Sequence, residues 1–562
     1  MSAIVPCLAQ RNFGAGGAVF EYCQLKRNAA KELLNKKPPA PKDLEWAIIL
    51  QKELLIYLDT PEVRLLSETD QSLKSQRADV RFDLALSLVT TGRKKEALRT
   101  LSELADEAGS PVYADWLNQE PFVGLRDEPE FQNVIARLRS IKNYWRSTAF
   151  QIPLQPDLTE DQKIAGLSLF WSNAKHNFVY FDQIPQLDWD QVYLDYLPRV
   201  RQTKSTYEYY RVLQELCALL KDGHTNVFLP PALREELEAR PPFRAALVED
   251  KVVVWRVLSE TLKRQAIQTG MEIVSIDGLP VRDYAKRFVA PYQSSSTAQD
   301  LAVRTYTYAL LAGPKDRPIE MEFKRPNGES FKRSVQRSGY TDVQPAAPPV
   351  SFTVLEHNVG YLAINNFESE KVVTGFVENL DSLARTDALI IDLRENNGGN
   401  SGFGYDILSY VTDKPFQSSR WSTRQTRALR RGSGVDIEWF GENSATLKAN
   451  GQKLYAKPIV VLTSPRTFSA AEDFLVAFDY MKRGKIIGEA TAGSTGQPLF
   501  FTLPGSGGAR ICSKRDFYPD GRKFVGVGIL PDIPISLRVS DLVDGKDSVL
   551  MAALQELKSQ TK

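Results

Sequence analysis

The stretch PIVVLTSPRTFSAAEDFLVAFDYM, Pro458 to Met481, places a serine where a strand turns into a helix. Ile459 to Leu462 is the β-branched, apolar run of a strand buried on both faces, and an amphipathic helical pattern begins at Ser469. The free N–H groups and positive end of such a helix stabilise an oxyanion that forms beside the hydroxyl, so Ser469 is a candidate nucleophile. The alternative is a plain N-cap, with Glu472 completing a capping box.

The composition is that of an ordinary globular protein. At 562 residues the chain is too long for one core, and about 150 residues per domain predicts three or four domains. Lys and Arg number 71 and Asp and Glu 69, and this balance gives no reason to expect nucleic acid as a partner. No apolar run approaches the roughly 18 residues that span a bilayer, so we do not expect an integral membrane protein.

The cysteines and histidines do not form a metal-binding pattern. The four cysteines are scattered, without a CxxC pair, so we expect neither a metal nor a cofactor. Only three histidines are present: His176, His224 and His357. The N-terminal MSAIVPCLAQ, which contains Cys7, is not a complete signal peptide but has the character of the remnant of one.

Residues 1–150 are predicted to be a helical region. From Phe82 the pattern indicates two antiparallel helices that resemble one tetratricopeptide repeat, and one repeat cannot bury its own face. Its small and apolar positions are Ala85, Gly92, Ala97, Leu101 and Leu104. A protein partner for these helices and a plain helical hairpin without a binding role both remain open.

Residues 151–240 are predicted to be a second helical region that ends in LLKDGHTNVFLPP. His224 follows a glycine just past the last predicted helix. A histidine in such a loop is either a solvent-exposed side chain or a base.

Residues 241–345 change to short strands. The piece GMEIVSIDGLPV resembles the strand and turn of PDZ-like domains, which take up an extended peptide at a strand edge. We expect that edge beside Val252-Val253-Val254. The alternative is a β-rich spacer without a ligand.

Residues 346–562 alternate strands and helices, which predicts a layered α/β domain that carries Ser469. The pair Gly398-Gly399 directly follows the predicted strand Ala388 to Leu393. Glycines at such a point free the backbone to direct N–H groups at a ligand.

Six motifs in a fixed order resemble the family of tail-specific or C-terminal processing peptidases. They are DGHT (Asp222 to Thr225), the PDZ-like insert, IIDLRENNGG (Ile390 to Gly399), TFSAAEDF (Thr467 to Phe474), GEATAGSTG and YPDGRKFVGVGILPDI. The nearer match is the histidine-containing branch related to tricorn protease and the interphotoreceptor retinoid-binding protein. The resemblance implies a crotonase- or ClpP-like catalytic domain and a serine peptidase that acts on unfolded proteins or short peptides.

The resemblance also implies roles for individual residues. Ser469 would be the nucleophile and His224 its general base. The N–H groups of Ala470 and of the Gly398-Gly399 turn would form the oxyanion hole. In the other branch of the family a lysine is the base, but Ser494 stands at the matching position here, so a serine–lysine dyad is not available.

One part of the family pattern is missing. Tricorn-like members carry a glutamate before the GVG of the closing motif and a serine before the histidine, and both orient the imidazole. This chain has Val525 and Gly223 instead. The residues that could replace them are Asp222, Thr225, Glu489 and Asp516.

Two competing interpretations remain. The first is a catalytically weak relative that binds peptide or apolar ligand, and the second is a scaffold whose N-terminal helices recruit a partner. The resemblance predicts an extracytoplasmic location, periplasmic or secreted, and leaves the oligomeric state unassigned.

Overall fold

The computed structural model describes residues 15–36, 39–69, 73, 75–107, 112–145, 148–339, 347–435, 437–451 and 454–560. Its internal contacts divide the chain into two compact units, Met1–Ala149 and Phe150–Lys562. The proposed signal-peptide remnant, Cys7 and the predicted domain boundary at residues 345 and 346 lie outside the described residues.

The first unit is helical. The predicted hairpin is present as the helices Gln76–Thr90 and Lys94–Glu107, and Gly92 turns the chain between them with a φ of +75°. Ala85, Leu101 and Leu104 are fully buried, because this hairpin packs on neighbouring helices. Those neighbours and the rest of the unit are Ala15–Leu34, Pro41–Leu58, Pro61–Thr69, Val112–Trp116, the 3₁₀ turn Phe122–Leu125 and Pro129–Trp145. The tetratricopeptide assignment stays a prediction.

The second unit is built on a six-stranded sheet. In spatial order its strands are Ile533–Pro534, Lys485–Gly488, Ile459–Thr463, Ala388–Asp392, Val359–Ile364 and Val350–Leu355. All neighbouring pairs are parallel except the last, which is antiparallel. The two central strands are buried at every residue, which explains their continuous apolar runs.

Helices cover both faces of this sheet. Side chains alternate along the central strands, so Val461 enters the core beneath the helix Ala470–Tyr480, and Val460 packs with the C-terminal helix Ser548–Gln560. The other helices of the layered region are Lys371–Glu378, Leu380–Leu383, Ser401–Ser409 and Val539–Asp544. The alternating strands and helices predicted from residue 346 onward are therefore present.

The helices of residues 160–237 belong to the same core as the sheet. They are Glu160–Asn177, Trp189–Gln202, Thr206–Ala218 and Pro231–Leu237. The short strand Asn226–Phe228 pairs antiparallel with Gly507–Cys512, which in turn pairs with Pro498–Leu503. This pairing fixes the loop that carries His224 against the C-terminal part of the chain.

Residues 243–335 form a separate sheet with its own apolar core. Its strands are Phe243–Val248, Lys251–Val257, Glu272–Ile276, Leu279–Pro280, Ile319–Lys324 and Ser330–Val335. Its helices are Glu260–Arg264, Val281–Phe288, Ala298–Ala302 and the π-helical run Val303–Ala309. The PDZ-like assignment stays a prediction.

The free strand edge expected beside Val252-Val253-Val254 is wrong. The strand Lys251–Val257 pairs with Phe243–Val248 on one side and with Glu272–Ile276 on the other. The N–H of Val254 donates to the carbonyl of Met271, so the backbone groups of this strand that a peptide would use are already bonded.

Smaller elements surround the sheets. Phe416–Gln417 pairs with Thr446–Leu447, and Arg420–Gln425 lies between Glu438–Glu442 and Arg515–Phe517. The short helix Ala428–Gly432 completes this region. Among the helices of the described residues, none has the length and apolar character to cross a bilayer.

Candidate functional site

Ser469 lies in a strained turn between the central strand Ile459–Thr463 and the helix Ala470–Tyr480. Its backbone has a φ of 60° and a ψ of −124°, a conformation that costs free energy for any residue with a side chain. Hydrogen bonds hold the turn, because the N–H of Phe468 donates to the carbonyl of Asn396 at 3.0 Å and that of Ser469 donates to the carbonyl of Ser494 at 3.1 Å.

The hydroxyl of Ser469 meets the imidazole of His224. The distance from Ser469 Oγ to His224 Nε2 is 2.9 Å, although the two residues are 245 positions apart in the chain. The structure therefore brings together the two residues that the family resemblance pairs. Ser469 is also the residue before the helix, but its side chain bonds to the histidine instead of serving only as a cap.

His224 is buried, with 2% of its surface exposed, so the solvent-exposed alternative is wrong. Its ring stacks on Phe468 with centroids 4.5 Å apart and planes 5° from parallel. Burial lowers the pKa of the imidazole well below its usual value, and the positive charges of Arg510, Arg304 and Lys514 lower it further. The ring is therefore neutral at pH 7 and able to accept a proton.

The other ring nitrogen of His224 contacts Ser494. The distance from Nδ1 to Ser494 Oγ is 2.9 Å, and Ser494 is fully buried. In the tautomer that leaves Nε2 free to accept from Ser469, Nδ1–H donates to the Ser494 oxygen. This contact holds the rotation of the ring, and the Ser494 hydroxyl is able to accept the proton of Nδ1.

The carboxyl group of Glu472 holds the Ser494 loop and the nucleophile turn together. Its Oε2 accepts from the N–H of Ser494 at 2.9 Å and from the N–H of Ser469 at 3.2 Å. Its Oε1 accepts from the N–H of Gly493 at 2.7 Å and from the hydroxyl of Thr491 at 2.5 Å. Burial raises the pKa of this carboxyl to about 8, and the four hydrogen bonds oppose that rise.

The four residues considered as orienting groups bond elsewhere. Asp222 accepts from Ser296, and the Thr225 hydroxyl accepts from the N–H of Cys512. Asp516 pairs with Lys514 at 2.9 Å, and Glu489 bonds to Ser536. The position at Nδ1 that they were expected to fill is taken by Ser494.

The predicted oxyanion donors lie beside the nucleophile. A Cβ on Gly398, whose φ is +96°, would stand 2.6 Å from Ser469 Cβ and 3.0 Å from the nitrogen of Ala470. Only glycine therefore allows this close approach. The N–H of Gly398, however, donates to the side chain of Asn396 at 2.9 Å. This bond already occupies the N–H of Gly398, and the oxyanion roles of Gly399 and Ala470 stay predictions.

Two residues of the site were not assigned from sequence. Glu472 was considered only as a capping partner of Ser469, and Ser494 only as the replacement of a lysine. The position of Ser494 in the sequence could have identified it. It matches the position of the lysine base in the other branch of the family, and a residue at that position is expected to lie close to Ser469. Among the described residues, no group of three or more histidines, cysteines and acids has an arrangement that could hold a metal ion.

Comparisons with known proteins find similarity to peptidases. Residues 358–535 match the sequence profile of peptidase family S41, and residues 168–218 match that of the tricorn protease C1 domain. A carboxyl-terminal-processing protease of Picosynechococcus sp. is 25% identical over 346 residues, which cover 59% of this chain and 74% of that protein. A carboxyl-terminal-processing protease of Synechocystis sp. is 24% identical over 226 residues, which cover 40% of this chain and 49% of that protein.

The fold is similar to that of a solved structure, mature CPAF complexed with lactacystin. The TM-score is 0.55 at 17% identity, and the similarity covers 72% of this chain and 98% of that chain. The predicted mixed, multidomain α/β fold with a helical N-terminal region is confirmed, while its PDZ-like, tetratricopeptide-like and crotonase-like parts stay predictions. Residues 358–535 are thus similar to peptidase family S41, and this match together with the carboxyl-terminal-processing protease relatives indicates a serine-type peptidase.

Proposed function

We propose that the chain hydrolyses peptide bonds with Ser469 as the nucleophile, His224 as the general base and Ser494 as the residue that positions the imidazole. The observation that carries this proposal is a continuous line of contacts. Ser469 Oγ lies 2.9 Å from one ring nitrogen of His224, and Ser494 Oγ lies 2.9 Å from the other. A histidine with only a structural role would not require a serine in a strained backbone conformation beside its Nε2.

The geometry supports a two-stage reaction. Neutral His224 removes the proton of Ser469 as its oxygen attacks the carbonyl carbon of the peptide bond, and a tetrahedral oxyanion forms. The imidazolium then gives that proton to the leaving amine nitrogen, the C–N bond breaks and an acyl-enzyme remains. Water, deprotonated by His224, attacks the ester carbon and releases the carboxylic acid product, and the proton returns to Ser469.

The oxyanion is stabilised by backbone groups. The N–H of Ala470 belongs to the first turn of the helix, where amide hydrogens lack an acceptor within the helix. We assign the second donor to Gly399, because the N–H of Gly398 is bonded to Asn396. A helix N-terminus adds a positive dipole end at the point where negative charge develops.

Ser494 and Glu472 replace the orienting residues that tricorn-like members carry elsewhere. A Cβ at Gly223 would stand 2.6 Å from Ser494 Oγ, so a serine at residue 223 would require the Ser494 hydroxyl to move from its place beside Nδ1. The carboxyl group of Glu472 accepts a hydrogen bond from the N–H of Ser494 and so holds the backbone of that residue in place. We therefore infer that the orienting hydroxyl has moved from residue 223 to residue 494.

The substrate class follows from the family. We propose unfolded proteins or short peptides, in a location outside the cytoplasm, with the helices of residues 1–150 as a region for a protein partner. We also propose the division into residues 1–150, 151–240, 241–345 and 346–562 as the domain organisation. The hydrogen-bonded pair Ser469 and His224 favours an active enzyme over a relative that only binds peptide or apolar ligand.

Replacing Ser469 by alanine tests the nucleophile. Ser469→Ala is expected to lower kcat for a quenched fluorescent peptide by about 10³-fold or more, because no other hydroxyl can form the acyl-enzyme. The melting temperature should change little, since loss of a helix cap costs about 1 kcal/mol. Ser433→Ala, at an exposed serine, is the control and should keep full activity. Unchanged hydrolysis by Ser469→Ala would exclude the assignment.

The pH profile tests the base. Because burial and nearby cations lower the pKa of His224, the neutral form needed for catalysis persists into acid. We expect kcat/KM for an uncharged peptide to fall only below about pH 6.5, the ordinary histidine pKa. A fall already centred near pH 7.5, or activity that appears only above about pH 9, would contradict a desolvated histidine base.

Replacing Ser494 by alanine tests its positioning role. Ser494→Ala is expected to lower kcat by about 10- to 100-fold with KM within about twofold, because one hydrogen bond to the ring is lost while the peptide contacts stay. Thr495→Val removes the adjacent buried hydroxyl of the same loop and serves as the matched control. Equal effects of the two variants on kcat, or an effect of Ser494→Ala on KM alone, would show that Ser494 does not orient the base.

A further inference from the structure

A cavity of about 410 Å³ lies between the helix Thr206–Ala218, the strand Asn226–Phe228 and the segment 284–314. Its volume is within the range of sites for small ligands and side chains. The charged residues that line it are Arg211, Arg240, Arg304, Arg510 and Glu238. Four guanidinium groups therefore share the cavity with one carboxyl group.

In the part of the chain that the structure describes, Arg510 forms no ion pair with a carboxylate, although the charge of Asp222 acts on it. Its Nε donates to the side-chain oxygen of Asn226 at 2.8 Å, and its Nη2 donates to the carbonyl of Gly223 at 3.2 Å. Burial first and the neighbouring charge of Arg304 second lower the pKa of this guanidinium to about 10. A cation in such surroundings favours an anion brought by a ligand.

Arg211 adds a second positive charge. Its Nη1 donates to the amide oxygen of Gln214 at 2.9 Å, and its guanidinium lies 3.4 Å from the ring centroid of Tyr292. Stacking on an aromatic ring holds the planar fork in one orientation. Arg304 differs, because Asp300 pairs with it at 2.8 Å.

We propose that this cavity binds a carboxylate group, held by Arg211 and Arg510. Guanidinium groups bind carboxylates with two parallel hydrogen bonds, which matches a fixed fork beside a second buried cation. The carboxylate comes either from a peptide substrate or from a free small polycarboxylate. The inference that a peptide supplies the carboxylate rests on the proposed peptidase function. The inference that the cavity binds a carboxylate does not.

The cavity adjoins the loop that carries His224. Arg304 and Arg510 both donate to the carbonyl of Gly223, the residue before His224. Arg304 also lies 5.5 Å from the ring centroid of Phe468, which stacks on the imidazole. A peptide whose acidic side chain enters the cavity would therefore have its chain close to Ser469, which gives a preference for acidic residues on one side of the cleaved bond.

Binding to the Ser469→Ala protein tests the proposal without hydrolysis. Calorimetry compares short peptides that carry a single glutamate at successive positions with matched peptides that carry glutamine. We expect the best glutamate peptide to bind about tenfold more tightly than its partner, the effect of one charge-assisted hydrogen bond. Peptides with a free or amidated C-terminus, and citrate alone, distinguish a side chain, a chain end and a free anion as the source.

Further substitutions in the same protein locate the effect. Arg211→Met should remove the preference for carboxylate over amide, and Glu238→Gln should strengthen it, because the one acid that lines the cavity is lost. Arg264→Gln, at an exposed arginine outside the cavity, is the control and should change neither. Circular dichroism checks that each variant is folded. If Arg211→Met is unfolded, the test is decided by whether Glu238→Gln increases the preference for carboxylate over amide.

Equal binding of every carboxylate and amide pair, together with no binding of citrate, would overturn the proposal. A preference that survives Arg211→Met and does not respond to Glu238→Gln would also overturn it. If the wild-type protein hydrolyses no peptide but carboxylate binding still depends on Arg211, the carboxylate site stands and the proposed peptidase function is excluded. Failure of the site and failure of the function are therefore distinguishable.

Discussion

The buried carboxyl group of Glu472 gathers the parts of the site. It accepts hydrogen bonds from the backbone of Ser469 on one side and from the backbone of Gly493 and Ser494 on the other. These donors belong to two separate segments, and without the carboxyl the buried N–H groups of Gly493 and Ser494 would lack an acceptor, while that of Ser469 would keep only the carbonyl of Ser494. Because each such group costs roughly 1–3 kcal/mol when unpaired, the carboxyl makes the strained nucleophile turn and the Ser494 loop stable in one arrangement.

A second constraint is steric. Gly223 leaves the space that Ser494 Oγ fills, and its carbonyl is held by Arg304 and Arg510. The loop before the strand Asn226–Phe228 is thus fixed on both sides of His224. Arg304 and Arg510 also lower the pKa of the imidazole and line the neighbouring cavity. The same two cations therefore act on His224 and on the proposed carboxylate site.

Local patterns predicted much of the architecture. The strand Ile459–Thr463, the helix Ala470–Tyr480 and the hairpin around Gly92 follow from apolar periodicity and turn residues, which act over short distances. The pairing of Ser469 with His224 followed from the family resemblance, because no local pattern joins residues 245 positions apart.

Other features depend on tertiary contacts that a single sequence does not display. Ser494 reaches Nδ1 only because Gly223 lacks a side chain, and the N–H of Gly398 is lost to Asn396 through a turn whose shape depends on glycine. The strand that contains Val252 was expected at an edge, but sheet order depends on long-range pairing. Acidic candidates such as Asp222 were near in sequence to the histidine yet bonded to other groups.

We propose that Ser494 holds His224 as a neutral ring with the proton on Nδ1 and with Nε2 free to accept from Ser469. Nitrogen-15 NMR of the imidazole rings measures this directly, and the chain has only three histidines to assign. At pH 7 we expect Nδ1 of His224 to be protonated and Nε2 to be unprotonated. In the Ser494→Ala variant we expect the ring to lose this single tautomer. A protonated Nε2, or a doubly protonated ring at pH 7, would contradict it.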